Sequence, residues 1–201
     1  MKDNTIITIR REFGTDGHIV GQKLAELLGI PYYDNDIMAD MMPSTENADY
    51  FRNSGETEIP DKRYGGIYFF ENVDGVRYSS RNTVMFEEQS ALTRKLAEQG
   101  SAVFVSRCVD NVLADHEGLI SVFIGAPFDT RVRHIMKREN LDEKTARNMV
   151  KEIDKGRKTY YHYFTDKTWG EREDYDLCID ASKLDVDGMV AVIRAFADSR
   201  K

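Results

Sequence analysis

Residues 6–28 read IITIRREFGTDGHIVGQKLAELL, an apolar run followed by two glycines and a helical pattern. The apolar run ends at Ile9, and apolar side chains recur from Val20 to Leu28 at the spacing of one helical face. The stretch therefore predicts a buried strand, a glycine turn and a helix. In such a unit the N–H groups at the helix start converge and the helix dipole adds positive charge, which suits the turn to a phosphate.

The turn departs from the complete phosphate-loop pattern. That pattern, G-x-x-x-x-G-K followed by Ser or Thr, supplies a lysine for the β- and γ-phosphates and a hydroxyl for magnesium. Gly17 stands where the lysine would be, and His18 and Ile19 follow it, so the expected hydroxyl is missing as well. A tight turn that binds nothing is the alternative, but the nearby Arg10 and Arg11 favour anion binding. The predicted phosphate-binding residues are Gly14, Thr15, Asp16, Gly17 and His18.

Composition limits the class of protein. The 201 residues, 41% hydrophobic and 31% charged, fit one α/β domain of ordinary composition. No apolar run approaches the ~20 residues of a membrane span, and residues 1–4 leave no room for a signal peptide before the first strand. Cys108 and Cys178 lack metal-ligand spacing, which favours reduced thiols in a cytoplasmic protein.

Charge is unevenly distributed along the chain. The net charge of −7 argues against binding a nucleic-acid polymer. Residues 128–173 nevertheless hold twelve Lys and Arg against nine Asp and Glu, while the rest holds sixteen against twenty-six. This balance suits a small polyanionic ligand, although a solvated helical face is the alternative and is favoured on charge alone. Two basic helical faces are predicted, one with Arg131, His134 and Arg138, the other with Arg147, Lys151, Lys155 and Lys158 beside Arg157.

Apolar runs predict five strands that alternate with helices. The predicted strands are residues 5–9, 30–33, 102–105, 120–124 and 177–179, and helical patterns cover 83–98, 128–139, 146–153 and 189–196. Strands that are apolar throughout indicate a parallel sheet covered by helices on both faces, which is a three-layer α/β/α fold. Ligands of such folds collect at the carboxyl ends of the strands.

Polar side chains follow two of these strands. Asp34 and Asp36 come after the second strand, where a carboxylate can hold a magnesium-bound water or act as a general base. The alternative is a helix N-cap, which we favour for at least one of the two. Arg107 follows the third strand and can bind a phosphate or the acceptor edge of a base, or pair with a helix-end carboxylate.

Residues 43–82 combine prolines, glycines and aromatic residues. This composition is too aromatic for a disordered linker and predicts an irregular insertion that closes over a substrate. A hairpin is expected around Asp74 and Gly75. The aromatic residues between Tyr160 and Trp169 are expected to form a packed cluster.

Taken together, these segments make the chain resemble the cytidylate kinase-like family, a branch of the phosphate-loop nucleoside-monophosphate kinases. The resemblance rests on residues 7–14, 24–34, 105–108, 126–131, 160–164, 169–170, 175–177 and 182–184. It implies one domain over residues 1–201, with a core formed by 1–42, 83–139 and 173–201. It also implies a phosphate loop at 11–18, an acceptor-side insertion at 43–82 and a mobile helical lid at about 140–172. ATP and Mg²⁺ are the cofactors that this resemblance implies.

The resemblance also implies roles for single residues. Arg131 and Arg157 resemble arginines that bind the transferring phosphoryl group, and Arg107 resembles the arginine that binds cytidine monophosphate. Cys108 stands where cytidylate kinases carry an aspartate. Loss of one charge-stabilising group such as the loop lysine costs ~3–4 kcal/mol of transition-state stabilisation. Arg10, Arg11 or a lid arginine would then supply the missing charge.

The first hypothesis is an ATP-dependent kinase that transfers the γ-phosphoryl group to a nucleoside monophosphate or similar small acceptor. Its predicted catalytic residues are Arg131, Arg157 and Arg11, and its predicted acceptor-binding residues are Asp34, Asp36 and Arg107. The alternatives are a catalytically silent nucleotide-binding protein and an interaction protein without nucleotide. The sequence leaves the acceptor and the oligomeric state open.

Overall fold

The computed structural model describes residues 4–42 and 80–200. Its strands are β1 (Ile6–Arg11), β2 (Tyr32–Asp34), β3 (Ala102–Val105), β4 (Leu119–Gly125) and β5 (Leu177–Asp180). Its helices are α1 (Gly17–Leu28), α2 (Asn35–Asp40), α3 (Ser80–Ala97), α4 (Val109–Val112), α5 (Phe128–Glu139), α6 (Glu143–Thr165) and α7 (Val186–Ser199), with a 3₁₀ turn at Arg172–Asp174.

The strands form one parallel sheet in the order β2-β3-β1-β4-β5. The predicted fold class, a parallel sheet of about five strands between helical layers, is confirmed. The predicted end of the first strand at Ile9 is wrong by two residues, since Arg10 and Arg11 pair with Phe123 and Ile124 of β4. Two consecutive arginines indicate a loop, but here tertiary contacts keep both side chains buried within the strand.

Side chains of β1 alternate between two helical layers. Ile7 and Ile9 pack with α1 and α7 on one face. Ile6 packs with α2, α3 and α4 on the other face. The same alternation directs Arg11 towards α1 and Arg10 towards α4, so the two neighbouring arginines enter different environments.

Helices α5 and α6 pack together at the carboxyl end of the sheet. Phe13, which follows β1, lies in an apolar cluster with Val132 and Ile135 of α5 and Val150 of α6. The segment predicted as a lid is dominated by α6, which is continuous over Glu143–Thr165 and has a buried inner face. Its mobility stays a prediction.

The insertion predicted at 43–82, with its hairpin at Asp74 and Gly75, lies outside the described residues except for 80–82, where α3 begins. Across residues 4–42 and 80–200, none of the helices has both the length and the apolar character that a bilayer crossing requires.

Candidate phosphate and acceptor site

The loop between β1 and α1 is fixed by hydrogen bonds at its start. The Glu12 amide donates to the Ile124 carbonyl at 2.9 Å, and the Phe13 amide donates to Asp154 Oδ1 at 2.9 Å. The Thr15 hydroxyl donates back to the Glu12 carbonyl at 2.9 Å. Because the first N–H groups of a helix have no intrahelical acceptors, the end of this loop at Gly17 presents donors of the kind that bind phosphate.

Two loop residues have left-handed backbone conformations. Gly14 has a φ of +87° and lies directly against α5, where an added Cβ would be 3.2 Å from the Arg131 carbonyl oxygen. Asp16 has a φ of +55°, which a residue with a Cβ seldom adopts. The turn is therefore tightly packed against α5.

Arg131 of α5 holds the loop from one side. Its Nη1 donates to the Phe13 carbonyl at 3.1 Å and to Asp154 Oδ2 at 2.6 Å. Its Nε donates to the Ala126 carbonyl, and its Nη2 donates to Glu12 Oε1 at 3.2 Å. Arg131 thus joins the ends of β1 and β4 to α5 and α6.

Glu12 is the partly buried carboxylate of this group. Burial raises the pKa of Glu12, while the Ala126 amide and the Arg131 charge act in the opposite direction. The Ala126 amide donates to Glu12 Oε2 at 2.9 Å. Glu12 and Asp154 together offset the Arg131 charge in a region with little solvent.

Arg157 and Arg11 meet at the end of β1. Arg157 Nη1 donates to the Arg11 carbonyl at 2.9 Å, and both side chains are buried. The aliphatic part of Arg11 covers Gly17, since a Cβ added to Gly17 would lie 2.9 Å from Arg11 Cβ and 3.0 Å from Arg11 Cδ. The three predicted catalytic arginines are therefore brought together around residues 11–13.

Arg10 points to the opposite face of the sheet and belongs to a separate buried network. Its Nη1 lies 3.3 Å from Asp110 Oδ1, and its guanidinium carbon is 4.2 Å from the centroid of the Tyr161 ring. The Tyr161 hydroxyl donates to Asp110 Oδ2 at 3.0 Å, and burial raises the pKa of Tyr161. This network connects β1, α4 and α6.

The predicted basic face of α5 borders the loop. His134 Nε2 and Arg138 Nη1 lie 3.0 and 3.2 Å from Asp16 Oδ1, and Arg131 on the same face binds Phe13. The hydrogen bond from His134 lowers the pKa of Asp16, which keeps the carboxylate ionised. The other predicted basic face is mixed, since Arg147 pairs with Asp129 and Glu143 at the surface.

The predicted acceptor residues lie at the ends of β2 and β3. Asp34 pairs with Val105 across the two strands and caps α2 by accepting from the Ile37 amide at 2.9 Å. The expected cap is thus present at Asp34, and Asp36 is exposed in the first turn of α2. Arg107 is buried, and its guanidinium carbon lies 4.8 Å from the centroid of the Tyr160 ring.

The aromatic residues after Tyr160 pack as predicted. Tyr161 and Trp169 share a buried cluster with Phe123, and Phe164 stacks on Phe86 at a centroid distance of 4.3 Å. Cys108 also lies in this cluster and is fully buried.

Within the described ranges, no three His, Cys, Asp or Glu side chains are placed to hold a metal ion. Among the predicted acceptor residues, Asp34 has a carboxylate that could hold a magnesium-bound water through Oδ2, since Oδ1 caps α2 and hard cations prefer oxygen ligands.

Several functional candidates had no clear sequence signal. Glu12 and Asp154 are separated by 142 positions along the chain, and both bind Arg131. Asp16 was predicted as a backbone donor, and its side-chain contacts with His134 and Arg138 were not foreseen. Helical periodicity did place His134 and Arg138 on one face, which is the signal that could have directed attention to a partner.

Comparisons with known proteins agree with this architecture. A cytidylate kinase from Methanocaldococcus jannaschii is 27% identical over 128 residues, which cover 62% of this chain and 71% of that protein. The crystal structure of an uncharacterized protein from Eubacterium ventriosum is 34% identical with a TM-score of 0.75, and the match covers 98% and 99% of the two chains. A shikimate kinase from Bacteroides thetaiotaomicron shares the fold with a TM-score of 0.57 at 11% identity, with 98% and 99% covered.

The profile of the cytidylate kinase-like family matches residues 6–183. This range contains all five strands, the loop after β1 and the arginines of α5 and α6. The chain therefore belongs to the cytidylate kinase-like family.

Proposed function

We propose that the protein is an ATP-dependent phosphotransferase that moves the γ-phosphoryl group to a nucleoside monophosphate or a similar small acceptor. The observation that carries the proposal is the position of Arg11 over Gly17. It supplies, from the strand before the loop, the cation that the complete phosphate-loop pattern takes from a lysine after it.

The side chain of Arg11 fills the space beside Gly17. A side chain at this position would overlap the aliphatic part of Arg11, which therefore excludes a lysine there. The Arg11 guanidinium begins one bond beyond Cδ, so it lies at the first turn of α1. Arginine forms paired hydrogen bonds to phosphate oxygens and stays charged at any working pH. The Arg11–Gly17 pair thus preserves the charge of the site with a different geometry.

The remaining residues have positioning roles in this proposal. The backbone of Gly14–Gly17 and His18 would hold the donor phosphates, and Mg²⁺–ATP would bring the metal that neutralises phosphate charge. Arg131 and Arg157 fix the backbone of the loop through the Phe13 and Arg11 carbonyls. Phosphoryl transfer needs mainly alignment and charge stabilisation, so no covalent intermediate on the protein is required.

The acceptor would lie at the ends of β2 and β3. Asp34 would accept a hydrogen bond from the acceptor, and Arg107 would bind its phosphate or the edge of its base. Cys108 is fully buried in the aromatic cluster with Tyr161, so we do not assign it to base recognition. The acceptor class therefore has to be found by testing nucleoside monophosphates beside small hydroxyl compounds.

One observation favours the second candidate function, a catalytically silent nucleotide-binding protein. Asp16 places an ionised, partly exposed carboxylate in the loop, where it opposes phosphate electrostatically. A site of this charge could bind nucleotide for regulation with little turnover. The two functions differ in product formation and not in binding.

The first experiment measures thermal stability with Mg²⁺–ATP and a panel of acceptors, and tests each stabilising pair for product. A ligand at 100 times its dissociation constant stabilises a protein by ~2.7 kcal/mol, a clear shift in melting temperature. A shift with product identifies the acceptor and supports the kinase. A shift without product supports the silent binder, and no shift at millimolar ligand rejects the phosphate-loop interpretation.

Arg11→Gln tests the residue that carries the proposal. We expect kcat to fall by about 10²–10³, because one charge-stabilising group is lost. Because Arg11 is buried, the melting temperature is measured beside kcat to show that the variant is folded. Arg133→Gln, on the exposed side of α5, removes the same charge outside the site and should leave kcat unchanged. The double variant Arg11→Gly with Gly17→Lys, which removes the Arg11 Cβ that a side chain at position 17 would overlap, should recover part of the activity. Wild-type turnover by Arg11→Gln would contradict the role of Arg11.

A further inference from the structure

We propose that His134 and Arg138 form an anion subsite beside the phosphate loop. The Asp16 carboxylate is the internal ligand of this subsite, and a phosphate group of a bound diphosphate or triphosphate replaces it. The inference rests on the proposed function only in taking the loop after β1 as the place where polyphosphate binds.

The geometry is that of a two-donor anion site. His134 Nε2 and Arg138 Nη1 lie 3.0 and 3.2 Å from the same atom, Asp16 Oδ1. The two residues are four positions apart on α5, so they stand on one face, one turn from each other. Donors that converge on one oxygen match a phosphate oxygen as well as a carboxylate oxygen.

The contact of Asp16 with His134 and Arg138 is more exposed to solvent than the neighbouring Arg131–Asp154 ion pair. The side chains of Asp16, His134 and Arg138 are 18%, 39% and 23% exposed. Those of Arg131 and Asp154 are only 6% and 9% exposed. A solute can therefore reach the His134–Arg138 pair without opening the core, while the Arg131–Asp154 pair stays closed.

Asp16 combines a left-handed backbone conformation with side-chain contacts to α5. A φ of +55° is sterically easiest for glycine, and aspartate is one of the few other residues that adopt it. The Asp16 side chain makes no capping hydrogen bond to α1 and instead contacts His134 and Arg138. On the far side, Glu139 Oε1 accepts from Arg138 Nε at 2.7 Å, which fixes the guanidinium while Nη1 faces Asp16.

The consequence is a loop that neutralises its own subsite before ligand arrives. An incoming phosphate must compete with Asp16 for His134 and Arg138, so affinity for polyphosphate is lower than the same loop would have without the carboxylate. Exchange of the carboxylate for phosphate also releases the Asp16 side chain from α5. Ligand binding is in this way coupled to the contact between the loop and α5.

The test measures binding of inorganic pyrophosphate by calorimetry to the wild type, Asp16→Asn and Asp16→Gly. Removal of one charge at close range should tighten binding about tenfold in Asp16→Asn. Adding His134→Gln and Arg138→Gln should abolish the gain, whereas adding Arg133→Gln should preserve it. Melting temperatures are measured first. If Asp16→Asn is poorly folded, the comparison is made with Asp16→Gly, because glycine adopts the left-handed conformation without strain.

Unchanged or weaker pyrophosphate binding in both Asp16 variants would overturn the proposal. A gain that survives loss of His134 and Arg138 would also overturn it, since simple charge removal would then explain the effect. Pyrophosphate binding requires no turnover, so the subsite can stand if the protein proves catalytically silent. Conversely, a kinase whose Asp16 variants show no gain retains the proposed function and loses the subsite.

Discussion

Residues of the same type contribute differently to the stability of this protein because their surroundings differ. Asp154 and Asp129 each lie 2.6 Å from an arginine nitrogen. Asp154 is buried with Arg131 and also accepts from the Phe13 amide, whereas Asp129 is mostly exposed and Arg147 is partly exposed. A buried charge that loses its partner cannot be hydrated, and an exposed one can.

Asp154→Ala should lower the free energy of unfolding by about 3–5 kcal/mol, because Arg131 and the Phe13 amide lose a buried partner. Asp129→Ala is the matched surface control and should cost less than about 1 kcal/mol. Urea denaturation of the two variants beside the wild type measures both values. Equal losses would contradict the assignment of Asp154 as a buried anchor of the loop.

At the level of elements, helix α1 packs directly against the sheet at Gly21. Gly21 makes this possible, since a Cβ at this position would overlap the Val105 side chain and approach Tyr32 Cε2 at 3.0 Å. Position 21 lies one turn after Gly17, so the packing at Gly21 determines where the first turn of α1 stands relative to β1. The placement of α1 and the geometry of the loop after β1 thus depend on the same glycine.

Gly21→Ala should destabilise the protein by about 1–3 kcal/mol through overpacking, although alanine is the better helix former. It should also weaken ATP binding, because α1 has to move away from the sheet. Gln22→Ala, on the exposed face of the same helix, should change stability by less than about 0.5 kcal/mol. A more stable Gly21→Ala protein would show that α1 is not held this closely.

Across the whole molecule, the Arg10–Asp110–Tyr161 network joins segments distant in sequence. It connects the central strand, the helix after β3 and the long helix α6 at the carboxyl end of the sheet. All three side chains are buried. The strand that precedes the loop after β1, the helix that follows β3 and the segment predicted as a lid are therefore joined by one polar network.

Tyr161→Phe removes the hydroxyl that donates to Asp110 and should cost about 1–3 kcal/mol of stability. Tyr163→Phe is the control, since Tyr163 is 46% exposed on the same helix and should be near neutral. Chemical denaturation measures both variants. Equal stability of the two would show that the Tyr161 hydroxyl contributes little to joining α6 to the core.

The fold could be predicted because its signals are local. Apolar runs, helical spacing and the Asp34 cap all depend on residues a few positions apart. The extension of β1 through Arg10 and Arg11 could not be predicted, because burial of these side chains depends on residues distant in the sequence, such as Asp110 for Arg10. The side-chain partners of Asp16 could not be predicted either, because they are also distant in the sequence. The basic helical face that contains those partners does follow from helical periodicity.

The strand order also has a consequence for biosynthesis. Ile6 begins the central strand, and its partners in the sheet are Ala102 and Leu119. A ribosome that adds about 5–20 residues per second needs about 6–25 seconds to make the chain between Ile6 and the end of β4. During this interval β1 is synthesised but cannot yet pair with both of its neighbouring strands. The need for chaperones should therefore be greatest before β4 emerges from the ribosome.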